Sequence, residues 1–140
     1  LEAYRTRKKI CVLGSAGGGR DTWKRPIMGK IAEQYCEHVI LTNDDPYDED
    51  PRKIVDEMAV VIRPEKLTIE MDRRLAIKKA LEMATSPNPL LSKAGVKGVV
   101  VLITGKGTDP YIMEASGKKT PWDDAQVVKE ELSQLAKLKM

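Results

Sequence analysis

Short apolar runs alternate along the chain with longer segments in which apolar residues recur at helical spacing. The runs are too short for helices and are bounded by turn-forming or polar residues, so they predict buried strands. They comprise residues 9–14 (KICVLG), 38–42 (HVILT), 67–71 (LTIEM) and 98–104 (GVVVLIT). The last run is apolar on both faces, which is typical of a central strand in a parallel sheet.

Four segments have the periodicity of amphipathic helices. Their predicted inward residues are Ile27, Met28, Ile31, Ala32, Tyr35 and Cys36; Ile54, Val55 and Met58; Leu75, Ala76, Ala80 and Leu81; and Val127, Val128, Leu132, Leu135 and Leu138. Asp50-Pro51 predicts an N-cap followed by proline at the first helical position, and Asp123 or Asp124 is expected to cap the last helix. A hairpin is predicted over residues 111–122, with its turn at Ser116-Gly117, and residues 86–95 are expected to form a surface connection.

Strands that alternate with helices predict an α/β fold. We expect one Rossmann-like three-layer domain over residues 1–140, with a mostly parallel sheet of about six strands, a C-terminal hairpin and a terminal helix. Ligands bind such sheets at the carboxyl ends of the strands. Three loops lie on that edge: GSAGGGRDTWKR, TNDDPYDEDP and TGKGTDP.

The composition of the chain argues against two classes of binding partner, nucleic acids and membranes. The chain has 24 basic and 21 acidic residues, a balance too even to predict nucleic-acid binding. It has neither an apolar run of membrane-spanning length nor an apolar leader near its start, so we expect a cytoplasmic protein with no membrane contact. Cys11 and Cys36 lie in apolar segments and are predicted to be reduced core thiols. The first residue is not Met, which suggests a fragment or a trimmed chain.

The glycine loop is a candidate anion site. Gly17, Gly18 and Gly19 lie between a predicted strand and helix, where backbone amides can hold an anion, although on loop chemistry alone a flexible turn is the stronger explanation. Arg20 and Lys24 favour the anion, since a guanidinium suits a carboxylate or phosphate. The loop matches neither the P-loop pattern G-x-x-x-x-G-K-S/T nor the dinucleotide fingerprint G-x-G-x-x-G.

The second loop concentrates five acidic residues within seven positions. Asp48, Glu49 and Asp50 adjoin a predicted helix N-terminus, where negative charge is favourable. Asp44 and Asp45 lie nearer the strand end and have three explanations: Mg²⁺ coordination, hydrogen bonds to a substrate ammonium group, or simple solvation.

The third loop, Gly105-Lys106-Gly107, either lets the backbone approach a ligand closely or makes an ordinary tight turn. Asp109 adds a carboxylate to the same edge. His38 has no sequence partner and is expected to be structural. No His/Cys metal cluster and no Ser-His-Asp set can be assembled from the sequence, so no residue is assigned a catalytic or metal-ligating role.

Together, GSAGGGRDTWKRPIMGKIAE, VILTNDDPYDEDPRKIVDEM and VVLITGKGTDPYI resemble the C-terminal domain of Mur ligases, most closely the MurE type. The resemblance runs from about Lys9 to Leu135. It implies an ATP-dependent, amide-forming ligase that adds an amino acid to UDP-N-acetylmuramoyl-dipeptide in peptidoglycan synthesis. The C-terminal domain contributes the amino-acid pocket, whereas ATP and Mg²⁺ are held mainly by a central ATPase domain. Neither that domain nor the N-terminal UDP-binding domain lies in this chain, so the chain alone is expected to be inactive.

The resemblance also assigns residues. Arg20 matches the arginine that contacts the amino acid. Asp44-Asp45-Pro46-Tyr47 matches the family signature Asp-Asn-Pro-Arg. Gly105 and Asp109 match the first glycine and the glutamate of Gly-Lys-Gly-His-Glu. The resemblance therefore implies that Arg20, Asp44, Asp45, Tyr47, Gly105 and Asp109 bind the substrate.

Four of the matched positions depart from the family residues: Asp45, Tyr47, Thr108 and Asp109. In members that add diaminopimelate, the signature arginine holds the distal carboxylate. Tyr47 has no charge with which to do so, so an amino acid with a cationic or neutral side-chain end is at least as strongly indicated. Two other functions stay open: a stand-alone Rossmann-like module that binds a nucleotide or small anion, and a scaffold domain with a degenerate site.

Overall fold

The computed structural model describes residues 7–85 and 98–140. The six strands are β1 (Lys8–Leu13), β2 (His38–Leu41), β3 (Leu67–Ile69), β4 (Val99–Ile103), β5 (Tyr111–Met113) and β6 (Lys119–Pro121). The four helices are α1 (Lys24–Tyr35), α2 (Pro51–Ala59), α3 (Arg73–Thr85) and α4 (Asp124–Leu138). The predicted surface connection over residues 86–95 lies outside the described residues.

The predicted α/β fold is confirmed. Four parallel strands form one sheet in the order β3-β2-β1-β4, and β5 and β6 form a separate antiparallel hairpin. The six expected strands are therefore present but divided between two sheets. The hairpin turns at Ser116-Gly117, as predicted, and both residues have positive φ angles of 57° and 74°.

The three layers follow from the alternation of side chains along β1 and β2. Cys11 and Leu13 face one side, where they pack with residues of α1 and α2, and Ile10 and Val12 face α3 and α4 on the other side. Cys11 and Cys36 are buried free thiols, as predicted. His38 is also buried, and its Nε2 lies 2.8 Å from Thr68 Oγ1, which agrees with a structural role.

The prediction that residues 98–104 form a central strand is wrong for the described sheet. β4 pairs only with β1 and is half-buried, whereas β1 lies between β2 and β4. An apolar run shows how much surface a strand can bury but does not specify how many neighbouring strands it has.

The helix predictions are correct where an N-cap residue fixes the first residue of the helix. Asp50 caps α2 by accepting a hydrogen bond from Arg52 N, and α2 buries Ile54, Val55 and Met58 as expected. Asp123, rather than Asp124, caps α4.

Several predicted inward residues are instead exposed. They are Ile27, Ile31 and Tyr35 on α1, Leu75 on α3, and Leu132 and Leu138 on α4. On α1 the buried positions are Arg25, Gly29 and Ala32, because α2 packs so closely that a Cβ on Gly29 would collide with Met58 O. On α3 the inward face includes Ile77 in place of Leu75.

Candidate functional site

Three loops meet at the carboxyl edge of the parallel sheet, after β1, β2 and β4. The strand order reverses direction between β1 and β4, which is the position where open α/β sheets bind ligands. A backbone hydrogen bond from Gly17 N to Asp45 O, at 2.6 Å, joins the glycine loop to the acidic loop. A second one, from Tyr47 N to Met113 O at 3.1 Å, joins the acidic loop to β5. The predicted convergence of the three loops is therefore observed.

The close approach of the loops requires glycine at two positions. A Cβ on Gly17 would collide with the carbonyl oxygen of Pro46, and a Cβ on Gly105 would collide with a carboxylate oxygen of Asp44. Gly105 also has a φ of 115°, a conformation that other residues rarely adopt. Gly105 therefore makes room for Asp44 inside the protein.

Asp44 is buried beneath Gly14 and Gly105. Its nearest cation is Lys106, whose Nζ lies 3.9 Å from Oδ1, longer than a hydrogen bond. Burial raises the pKa of Asp44, and the neighbouring charge of Asp45 acts in the same direction, whereas Arg73 and Lys106 oppose it. The first acid of the loop is thus held in an environment that disfavours its charge.

Asp45 forms the main ion pair of this edge. Both of its carboxylate oxygens accept hydrogen bonds from Lys106 Nζ, at 2.7 and 2.8 Å, and Oδ1 also accepts one from Met113 N at 2.7 Å. Lys106 Nζ also lies 3.3 Å from Asp109 Oδ2, and its side chain is only 1% exposed. An ammonium group of the chain itself therefore occupies the position beside Asp45 where the sequence suggested a substrate ammonium.

The second half of the acidic loop is bound to other partners. Asp48 accepts a hydrogen bond from Ser116 N at 2.7 Å, and Asp50 caps α2. Glu49 pairs with both terminal nitrogens of Arg25, at 2.7 and 2.8 Å, and accepts a longer bond from Gly19 N. Asp48 and Glu49 lie just before α2, where the sequence predicted them, and each also has a specific partner elsewhere in the chain.

Arg25 is the fully buried centre of this second network. It pairs with Glu57 at 2.8 Å as well as with Glu49, and it donates to Ala16 O in the glycine loop. The Arg25 guanidinium lowers the pKa of Glu49 to about 2, mainly through the hydrogen bonds between them. The helix α1, the glycine loop and the acidic loop are thus joined at one side chain.

A second buried arginine connects the other loops. Arg73, at the start of α3, forms two hydrogen bonds with Asp124 and donates to the carbonyl oxygens of Asn43 and Thr104. These carbonyls lie just beyond the ends of β2 and β4. Arg73 therefore fixes the spacing of the two strand ends that carry the candidate site.

An open cleft of ≈ 680 Å³ lies between the glycine loop and the acidic loop. Its lining includes Gly17, Gly18, Gly19, Arg20, Tyr47, Asp48, Glu49 and Lys53. Arg20 also borders a neighbouring cleft, to which Lys24 contributes. Lys24 pairs with Asp21 at 2.7 Å, so the two predicted cations of the loop differ in how firmly they are held.

The predicted site residues thus fall into two groups. Gly17, Gly18, Gly19, Arg20 and Tyr47 line the cleft, whereas Asp44, Asp45, Gly105 and Asp109 surround or adjoin Lys106. Sequence reasoning did not assign a role to Lys53, Arg25, Lys106 or Arg73. Only Lys106 carried a signal, because it lies between two glycines on the ligand-binding edge.

Within residues 7–85 and 98–140, no group of three or more His, Cys, Asp or Glu side chains could hold a metal ion. The Lys106 ammonium already balances the charge of Asp45, and the sequence contains no P-loop. In the same described ranges, no helix has both the length and the apolar character needed to cross a membrane.

Comparison with known proteins gives consistent matches. Residues 1–107 match the family model described as "Mur ligase, glutamate ligase domain". The UDP-N-acetylmuramoyl-L-alanyl-D-glutamate--2,6-diaminopimelate ligase of Aquifex aeolicus (strain VF5) is 48% identical over 124 residues, which cover 88% of this chain and 23% of that protein. The ligase of the same name from Nitrosomonas europaea is 40% identical over 129 residues, covering 92% and 22%.

A solved structure of a ligase with that name superposes with a TM-score of 0.71 at 33% identity. The match covers 92% of this chain and 24% of the other chain, so the present chain spans about a quarter of the length of its relatives. The family match, the fold and the three converging loops all indicate the same family. The chain belongs to the Mur ligase family, within its glutamate ligase domain.

Proposed function

We propose that this chain is the C-terminal, amino-acid-binding domain of a ligase that adds an amino acid to UDP-N-acetylmuramoyl-dipeptide in peptidoglycan synthesis. In this proposal ATP activates the carboxylate of the nucleotide-linked peptide, and the amine of the incoming amino acid attacks the activated carboxyl. Domains outside this chain hold ATP, Mg²⁺ and the UDP group. A cytoplasmic location belongs to the same proposal.

One observation carries the assignment of the amino-acid site. Arg20 lines the open cleft between the glycine and acidic loops, and it makes no hydrogen bond or ion pair within the described parts of the chain. A guanidinium in this position can form two parallel hydrogen bonds with a carboxylate. Since every α-amino acid carries a carboxylate, Arg20 is suited to hold that group of the incoming substrate.

The surrounding residues support a pre-formed cleft. The Arg25–Glu49 pair fixes one wall, and the hydrogen bond from Gly17 N to Asp45 O fixes the glycine loop against the acidic loop. Gly105 and Asp109, together with Asp44 and Asp45, form the adjoining part of the edge. We propose that this group acts as a rigid support that keeps the cleft aligned with the reacting domains.

The test uses the full-length protein that carries this chain, with ATP, UDP-N-acetylmuramoyl-L-alanyl-D-glutamate and a panel of single amino acids. Phosphate release is the measured signal. We expect release above background with one or a few amino acids, and formation of the corresponding UDP-muramoyl-tripeptide by mass spectrometry. Omission of the amino acid is the control.

Failure of every amino acid to stimulate phosphate release would contradict the proposal. The isolated 140-residue chain gives a second control, because without a P-loop it should not hydrolyse ATP. ATP hydrolysis by the isolated chain that is lost in Lys106→Met would favour a nucleotide-binding module instead.

A further inference from the structure

Two cysteines and a methionine lie around one apolar cleft between α1 and the parallel sheet. The cleft has a volume of ≈ 280 Å³, and its lining includes Cys11 of β1, Met28 of α1 and Cys36, the C-cap residue of that helix. Both thiols are free and almost completely buried, with exposed fractions of 4% for Cys11 and 2% for Cys36. The proposed function assigns no role to these three sulfur-containing residues.

The two cysteines contact each other through their side chains. A hydrogen bond between the thiols, together with burial, raises the pKa of Cys11, and the same hydrogen bond lowers the pKa of Cys36. Burial and Glu37 act against the lowering at Cys36, whereas Lys9 and Lys66 add to it. Cys36 is therefore the thiol that loses its proton first, and two cations lie near enough to stabilise negative charge on its sulfur.

Met28 can supply a third sulfur atom. Its side chain packs against the same core cluster that contains both cysteines. Methionine is unbranched and has three rotatable bonds, so its thioether can move within the cleft without a change in the backbone. The remaining described residues of the lining are mostly apolar: Leu13, Ile31, Ala32, Leu102 and Thr104. The hydroxyl of Thr104 already donates to Val12 O at 3.2 Å, so sulfur is the main ligand that the cleft offers.

We propose that Cys11, Cys36 and Met28 form a binding site for monovalent copper. Thiolate and thioether sulfur are the ligands that favour this soft ion over harder cations. Binding of one Cu⁺ replaces the two thiol protons, which are released to solvent, and the oxidation state of the copper does not change. The resulting complex carries one net negative charge, which the ammonium groups of Lys9 and Lys66 partly balance. The inference does not rest on the proposed function, because it uses none of the residues to which that function assigns a role.

The experiment titrates the reduced 140-residue chain with Cu⁺ under anaerobic conditions, in competition with a chromophoric copper(I) chelator. The unmodified chain should retain one Cu⁺, and bound copper should raise its Tm, because a ligand that prefers the folded state stabilises it. Cys11→Ala and Cys36→Ala should each weaken binding by at least the roughly 10- to 100-fold that is typical when the surroundings of a metal site are disturbed. Met28→Leu should weaken binding less, by about threefold or more, since a thioether carries no charge.

Met71→Leu is the matched control for Met28→Leu. Met71 packs against the same core cluster but does not line the cleft. An exchange of methionine for leucine nearly conserves volume, so both variants should keep the fold, and Met71→Leu should change the copper affinity less than about twofold. Equal effects of the two methionine variants would overturn the three-sulfur site. This comparison decides the question even if a cysteine variant fails to fold.

The stoichiometry and the ligand atoms of the bound copper give two further checks. Failure of the unmodified chain to retain copper against the chelator would overturn the proposal, as would two bound coppers that each depend on a different cysteine. X-ray absorption at the copper edge should show only sulfur neighbours in the unmodified chain. Nitrogen or oxygen neighbours would also overturn the proposal, because they would place the copper elsewhere in the chain.

Discussion

Asp44 and Glu49 lie in the same acidic loop, yet their surroundings shift their pKa values in opposite directions. Asp44 is buried at the strand end with no cation at hydrogen-bonding distance, and burial raises its pKa. Glu49 lies against the buried guanidinium of Arg25, which lowers its pKa to about 2. Two carboxylates close in sequence thus differ because one is desolvated and the other is paired.

This difference points to the structural role of the many acidic residues in one loop of a mildly basic domain. Asp45, Asp48, Glu49 and Asp50 each have a specific partner within the chain: Lys106, Ser116 N, Arg25 and the start of α2. The acids fasten loops to one another and to helices. In the proposed function, ligand binding falls instead to Arg20, which has no such partner within the described residues, and the following predictions test this division.

The largest loss of stability is expected at Arg25. Its side chain is 0% exposed and pairs with Glu49 and Glu57, so Arg25→Ala leaves two carboxylates without their partner. Removing one member of a buried ion pair costs about 3–5 kcal/mol. Urea unfolding of the chain measures the change, with Arg52→Ala as an exposed control that should cost less than about 1 kcal/mol. Similar costs for the two variants would mean that Arg25 does not hold the second half of the loop.

A loss of about 3 kcal/mol is expected for Lys106→Met, because Asp45 would keep a charge without its main partner. The variant Asp45→Asn combined with Lys106→Met should recover part of that loss, since the uncompensated charge is then removed. The double-mutant cycle in urea measures the coupling. Strict additivity of the two changes would contradict a direct Asp45–Lys106 interaction.

Acid unfolding should distinguish Glu49 from the rest of the loop. Its folded-state pKa is below the ordinary value of 4.5, so its pairing stabilises the protein above that pH and is lost as pH falls towards about 2. We expect this group to contribute about 2 kcal/mol across that window, less than the full shift because the side chain is 15% exposed. The free energy of unfolding of Glu49→Gln should therefore fall less steeply with acid than that of the original chain. Parallel pH profiles would refute the assignment.

Asp44 should give a smaller effect of opposite sign. Its raised folded-state pKa means that its contribution is fully present below the ordinary value of 3.8 and is lost as pH rises through the folded-state value. Asp44→Asn should thus be as stable as the original chain at pH 7, or more stable by up to about 1 kcal/mol, and lose that advantage in acid. A clear loss of stability at pH 7 would show that the charge of Asp44 is needed in the fold.

Local sequence signals account for much of the architecture. The apolar runs predicted the four parallel strands, and Asp50-Pro51 predicted the start and the buried face of α2. These features depend on residues close in sequence, where period and capping chemistry act directly. The edge position of β4 could not be predicted this way, because the number of neighbouring strands depends on the whole sheet.

The sequence predicted where the helices lie more accurately than which of their residues face inward. Asp72 accepts a hydrogen bond from Leu75 N at the start of α3, and the inward face then contains Ala76, Ile77 and Ala80. Leu75 lies outside that face and is exposed, although it is larger than Ala76. The prediction that Leu75 faces inward, which followed residue size alone, was therefore wrong.

The sequence predicted that the candidate site lies at the carboxyl edge of the sheet, but it did not predict which side chains pair with one another there. Lys106 and Asp45 are 61 positions apart, and Arg73 and Asp124 are 51 apart, so no local pattern joins them. Lys53 resembles any surface lysine of an amphipathic helix until the glycine loop is folded against α2. Only the tertiary structure separates the carboxylates bound within the protein from the cations that border the cleft.

The proposed division between acids that hold the fold and a cation, Arg20, that holds the substrate is tested most directly by Arg20→Ala in the full-length protein that carries this chain. The measurement is the KM for the amino acid and the KM for ATP, each at saturating concentrations of the other substrates. We expect the KM for the amino acid to rise roughly tenfold, with the KM for ATP changed less than about twofold and the unfolding free energy unchanged. A rise confined to the KM for ATP would contradict this account and identify the glycine loop as a nucleotide site.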